Sequence, residues 1–250
     1  MTPLDLLCPV PFHEANPAQR ARILSRLADS ELFAALVEEP ADDRVELQVF
    51  PLPDGPVALA CDAEDRLADF IGGPVAYLGL PGRVLASALA SEGRGLLVNP
   101  GHPSEMLLDT ATLSWLVQAL QAEPSLAPDE APRSIRAPQP EVVRALAEPL
   151  STRLGDMVGL VTSAALVATE WANGRRNHTL LLKGVEESRR PALAKAFAEL
   201  LAFLPEIEGG ADIGFSDSAH PAVALVLEPP APIEPEPVPQ RDPNAPPRLR

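Results

Sequence analysis

Lysine is almost missing from this chain, standing only at positions 183 and 195, and cysteine occurs only at 8 and 61. Two thiols cannot form a disulfide framework, and no CxxC-type spacing suggests zinc, so Cys8 and Cys61 are expected as packed thiols. The four histidines, His13, His102, His178 and His220, fall in separate segments without i,i+3 or i,i+4 pairing. No metal site is predicted from that spacing. Neither GxGxxG between a strand and a helix nor GxxxxGK[ST] is present, so Gly72-Gly73-Pro74 and Gly93-Arg94-Gly95 read as turns and no cofactor is predicted. A GxSxG elbow is also lacking, and Asp62 beside Cys61 would raise a thiol pKa, so no catalytic residue is assigned. No apolar run approaches ~18 residues, which argues against a membrane span. The stretch Met1 to Leu7 has no basic n-region and contains Asp5, so it does not read as a signal peptide, and a cytoplasmic location is expected.

Proline, by contrast, is abundant. The 30 prolines gather around residues 124–140 and after 228, which predicts a linker and a tail. The expected plan is a first domain over 1–122, a Pro-rich linker over 123–140, a second domain over 141–228 and a disordered tail over 229–250. With 46% apolar side chains, two domains of this size can each bury a core. The net charge of −15 argues against nucleic acid as a partner, because phosphate backbones are held by Lys and Arg. Residues 1–121 hold 17 acidic and 7 basic groups, a balance of −10, whereas 141–227 hold 11 and 8, a balance of −3. The first domain therefore favours basic or neutral partners, or owes its solubility to this charge.

Apolar residues Ile23, Leu24, Leu27, Leu32, Phe33 and Leu36 predict one or two helices over 17–37, broken near Asp29-Ser30. Alternation at Val45, Leu47 and Val49, a turn at Pro53–Pro56 and the run Val57–Cys61 predict a hairpin. Asp62 is placed to cap a short helix through Phe70. Strands are expected at 75–80, 95–98 and 106–108, with helices over 83–90 and 110–121, the latter capped by Asp109. Beyond the linker, a helix bent near Pro149 is followed by strands at 165–170 and 179–182 that meet across Asn173-Gly174, the strongest hairpin signal in the chain. A long helix over 186–203 and strands at 212–215 and 223–227 complete the pattern. The fold class is thus α+β, with a mixed sheet and flanking helices followed by a four-stranded, mainly antiparallel sheet with helices on one face.

The stretch Val57 to Leu120, with its acidic short helix before Phe70, Leu78-Gly79-Leu80-Pro81 and above all Gly95-Leu96-Leu97-Val98-Asn99-Pro100-Gly101, resembles the N-terminal domain of the SseB family, named for enhanced serine sensitivity. Residues Val142 to Leu227, including Leu182-Lys183-Gly184-Val185, are similar in layout to the C-terminal domain of that family. The resemblance implies a bacterial protein with a link to serine sensitivity and the Asn-Pro-Gly corner as a family feature. It carries over no catalytic residue.

Five residues are candidates for binding. Asn99 and His102 flank a tight turn in which Pro100 fixes φ and Gly101 supplies a positive φ; they serve either that turn alone or a polar pocket beside the strand end. Trp171 is either an exposed anchor or a cover for one end of the core. Arg175 and Arg176 at the hairpin tip, with Arg189-Arg190 nearby, are either surface charge or a site for an acidic partner. Paired carboxylates at Asp42-Asp43 and Glu64-Asp65 read as solvated charges or caps. The expected function is non-catalytic protein binding or regulation. An enzyme with a dispersed polar site near Asn99–His102 and a secretion-linked adaptor are the alternatives. The oligomeric state is left open.

Overall fold

A computed structural model describes residues 1–39, 45–53 and 55–229. The proline-rich tail from 230, the Asp42-Asp43 pair and Asp54 of the predicted turn lie outside the described residues. Seven α-helices and two mixed sheets are found among those described, the α+β class expected.

A single-turn helix, α1 (Pro3–Leu6), precedes α2 (Pro17–Asp29). Asn16 caps α2 through a reciprocal pair of bonds with Gln19, and Pro17 takes the first helical position, where a missing N–H costs nothing. The chain then departs from expectation. At Ser30 the backbone turns extended, and Glu31–Ala35 forms strand β1 in place of a second helix. Leu32 and Ala34 enter the helix-covered core, while Phe33 and Ala35 pack on the other face. An apolar run buried on both sides of a sheet shows no clean alternation, so its sequence mimics a helix.

The predicted hairpin is β2 (Val49–Leu52) with β3 (Gly55–Cys61), in register Val49 to Ala58. Next come α3 (Glu64–Ile71), β4 (Tyr77–Pro81), α4 (Gly82–Ser91), β5 (Gly95–Val98), β6 (Met106–Leu108) and α5 (Thr110–Leu120). The first sheet runs β4-β1-β3-β5-β6, with β2 beside β3; only β3 and β5 are parallel. Helix α4 starts without a loop after β4 because Gly82 lets its backbone meet α2: a Cβ there would lie 2.0 Å from the Leu27 carbonyl oxygen. Asp109 caps α5 by accepting from the Thr112 N–H at 2.7 Å, as expected. Asp62 does not cap α3. Ala63 is the cap residue, and the Asp62 carboxylate is drawn instead to Arg66 and Thr2.

Residues 123–139 are held to the second sheet at two places. Ser125 and Ala127 exchange backbone bonds with Ile213, and β7 (Ser134–Arg136) pairs with the next strand but one along the sheet. Then follow α6 (Pro140–Gly155), β8 (Ser163–Glu170), β9 (Arg176–Lys183), a 3-10 turn leading into α7 (Arg190–Ala202), β10 (Ala211–Phe215) and β11 (Leu225–Leu227). Helix α6 runs unbroken through Pro149, which is buried. The sheet order is β10-β9-β8-β11, with β7 added on β8 as a fifth strand. Asn173-Gly174 makes the hairpin turn, with Gly174 at φ 80°.

Each sheet has its own core, and Phe203 at the end of α7 packs into the first of them. Its ring meets Trp115 edge-to-face at 5.5 Å. Ion pairs line the seam: Asp29 receives Arg83 and Arg153, Arg83 also reaches Glu199, and Arg26 reaches Asp156. Lys195 donates to the carbonyls of Leu120 and Ala122.

Candidate functional site

Strand β5 ends at Asn99, whose side chain is 0% exposed and whose φ of 46° lies in the left-handed region. Its Oδ1 accepts from the Asp62 N–H at 2.9 Å and its Nδ2 donates to Ser104 Oγ at 2.8 Å. Ser104 in turn donates to Asp5 Oδ1 at 2.6 Å. Arg66 grips Asp5 with both guanidinium nitrogens and donates to Asp62 Oδ1 at 3.1 Å, while Thr2 Oγ1 donates to Asp62 Oδ2 at 2.6 Å. Arg66, with its hydrogen bonds foremost, holds the Asp5 carboxyl far below the usual range against the opposing effect of burial. The network ties α1, α3 and the β5–β6 corner together, with every polar atom just named satisfied from within.

His102 is partly exposed and lines a shallow concavity of about 400 Å³ with Cys8, Val10, His13 and Glu105. The structure therefore sends Asn99 inward and His102 outward, so the two do not share a pocket. Glu105 accepts from the Gly101 N–H at 2.6 Å, and Gly101 has φ 79°, the positive angle the turn demands. Both thiols are buried. Burial pushes Cys61 up to about 11, and burial followed by the Asp5 charge raises Cys8.

At the hairpin tip Trp171 is only 3% exposed. Its Nε1 donates to Asn177 Oδ1 at 2.8 Å, so it closes one end of the second sheet. Arg175 lies over its ring at 5.7 Å and pairs with Asp212, while Arg176 pairs with Glu170 at 3.7 Å. Arg190 lies over Phe215 and does not join Arg175 or Arg176. One contact escaped the sequence reading: Ser163 Oγ sits 2.7 Å from His220 Nε2. The residues are 57 apart, and nothing local announces the pair. No acidic side chain hydrogen-bonds that imidazole among the described residues.

The two faces of the first sheet differ. Helices α2 and α4 cover one face, with α5 completing that core. Among the described residues the other bears α3 as its one helix, whose Leu67 packs on Ala35, Leu59 and Cys61. Around that small cluster Phe33, Phe50 and Leu97 are only partly buried, Tyr77 is 42% exposed and Leu107 is 51% exposed. Cross-strand register places Leu59, Leu97 and Leu107 in one row, and Phe33 meets Tyr77 edge-to-face at 5.5 Å. Acidic groups flank the face: Glu31 lies beside Gly79, and Glu64 engages the Tyr77 hydroxyl and raises its pKa.

Among the described residues, no group of three or more His, Cys, Asp or Glu is placed to hold a metal ion, and no helix is long and apolar enough to cross a membrane. These features define an α+β protein on two mixed sheets, with its Asn-Pro-Gly corner locked into a buried ion network. Residues 11–115 match the family described as the SseB protein N-terminal domain, so that stretch of the chain is similar to that domain. The match spans α2 to the middle of α5 and includes the corner. No curated protein and no solved structure matched in the corresponding searches.

Proposed function

We propose that this SseB-like chain is a non-catalytic binding module, and that it docks a basic partner protein on the α3 side of its first sheet. The observation that carries this reading is the half-covered face formed by Phe33, Phe50, Tyr77, Leu97 and Leu107. A two-turn helix leaves apolar side chains of three or more strands in water, and a second apolar surface would withdraw them at about 25 cal/mol per Å². Glu31 and Glu64 on its border, together with the −10 balance of residues 1–121, favour a partner whose rim is basic. The internal satisfaction of Asn99, Asp5 and Asp62 supports a structural role for the corner, beside a docking role for the sheet.

Affinity capture with the wild type and with Leu107→Arg tests the proposal. Leu107 is half exposed, so the fold tolerates the change. The expected result is a basic protein held by the wild type, released as salt rises and lost from Leu107→Arg, with hydrogen exchange slowed over β1, β4 and β5 in the complex. Equal retention by both proteins, or protection confined to other strands, refutes it.

A further inference from the structure

Strand register brings an unusual set of side chains to one end of the second sheet. Glu170 lies opposite Arg176 and Ser134, while Ala168 lies opposite His178 and Arg136. In a β-ladder, residues directly opposite share a face, and residues two apart on one strand share it too. Ser134, Arg136, Glu170, Arg176 and His178 therefore project from the same side. This is the side on which α6 and α7 cover the rest of the sheet, but α6 begins only at Pro140 and leaves this end open. The result is a cavity of about 590 Å³, walled by Gln139 at the start of α6 and by Glu208-Gly209.

Two features of the cavity are unsatisfied. His178 is 3% exposed, and neither Nδ1 nor Nε2 has a hydrogen-bond partner. Leaving a buried donor and acceptor unpaired is costly, and native proteins seldom do so without a bound species to answer them. Burial also lowers the pKa of His178, with Glu141 opposing, which favours the neutral ring with one donor and one acceptor nitrogen. At the rim, Arg133, Arg136 and Arg176 all lie within 4 Å of a single carboxylate, Glu170, at 3.8, 3.7 and 3.7 Å. Among the described residues they have no other ion-pair partner. One carboxylate cannot neutralise three guanidinium groups. Gln139, the N-cap of the 16-residue α6, makes no side-chain capping bond, so first-turn amides at this wall have no side-chain cap, while Glu141 in the same turn opposes their positive potential. Glu208 on the far wall is the counterweight, and it prefers a ligand carrying a donor over a bare anion.

We propose that this cavity is a binding site for a small hydroxylated oxyanion, its charged end held between Arg136 and Arg176 and its hydroxyl hydrogen-bonded to His178. Guanidinium groups match the planar or tetrahedral oxyanion, and the neutral imidazole distinguishes a hydroxyl-bearing ligand from a simple one. A hydroxycarboxylate and hydrogen phosphate both carry this pairing of groups. The site lies on the second sheet, away from the apolar face of the first sheet, so its occupancy and partner docking are separable.

The test is titration of the full chain with malate, with inorganic phosphate and with acetate, followed by the imidazole nitrogen resonances of His178 and repeated on Arg136→Ala and Arg176→Ala. Both arginines are largely exposed, so the variants keep the fold. Saturable shifts of the His178 resonances with malate or phosphate are expected, weaker with acetate, and each arginine variant should weaken binding about tenfold, the worth of one charge-assisted hydrogen bond. A response to malate alone identifies a carboxylate ligand, and a response to phosphate alone a phosphate ligand. Silence of His178 with both, or shifts undiminished in both arginine variants, overturns the proposal.

Discussion

Replacing Arg66 with methionine isolates the physical basis of the corner. Met retains much of the aliphatic bulk of Arg but removes the one guanidinium that, among the described residues, pairs with Asp5 and Asp62, whose side chains are 2% and 6% exposed. Breaking a buried ion pair from one side costs roughly 3–5 kcal/mol, because the partner charge stays buried without compensation. Against a domain stability of about 5–15 kcal/mol, Arg66→Met should remain folded but lose a large share of its resistance to urea. The pH dependence gives a sharper test. In the wild type, Asp5 titrates far below the unfolded value near 4, so its contribution is complete above that value and is lost as pH falls toward the folded value. In Arg66→Met, burial without the cation raises the folded pKa above the unfolded one. The folded state then binds the proton more readily, and stability rises as pH falls from about 7 to 5. Urea midpoints at several pH values would stay level from pH 7 to 5 and fall below about pH 4 in the wild type as far as Asp5 is concerned, but rise from pH 7 to 5 in the variant. The double variant Asp5→Leu/Arg66→Met should be more stable than Arg66→Met alone, since no carboxylate is left stranded on α1. A loss below about 1 kcal/mol for Arg66→Met, or a pH slope unchanged from the wild type, refutes the assignment of this network as the structural lock of the corner.

Two further outcomes follow from close packing. Gly82→Ala should lower stability by about 1–3 kcal/mol, read as a reduced urea midpoint, because its Cβ would lie 2.0 Å from a backbone oxygen of α2 and one helix must shift. Cys8 and Cys61 should resist a thiol-directed disulfide reagent at pH 8 in the native protein and both react once urea unfolds it, because burial keeps them closed off and protonated.

What the sequence made legible was chemistry that acts over a few residues. Asp109 caps its helix because the donor it serves is three residues on, and Asn173-Gly174 turns the hairpin because positive φ is a local demand. Strand β1 defeated the same reasoning: its residues are apolar toward both faces, and only the strands on either side decide that Leu32 and Phe33 point apart. The order Asp62-Ala63-Glu64 looked like a helix cap, yet the carboxylate is recruited by Arg66 and Thr2, the latter 60 residues away in sequence. Asn99 was singled out as a corner residue, and it is one. Its partners Asp62 and Ser104, and through Ser104 the distant Asp5, are what remove it from the surface.

The same distinction explains why the second-sheet cavity was visible only in part. Arg176 was marked in the sequence as one of a basic pair at a hairpin tip, and alternation along β9 already implies that His178 shares its face. Arg136 lay in a stretch read as linker, where proline suppresses any periodic signal, and its place opposite Ala168 depends on an edge of β8 that no local pattern describes. Pairing with that edge turns a connector into the third wall of a site. Segments 123–140 and 163–178 therefore have to be taken together: one supplies Arg136 and the other Arg176 with the buried imidazole, and neither alone distinguishes a surface arginine from one aimed at a ligand.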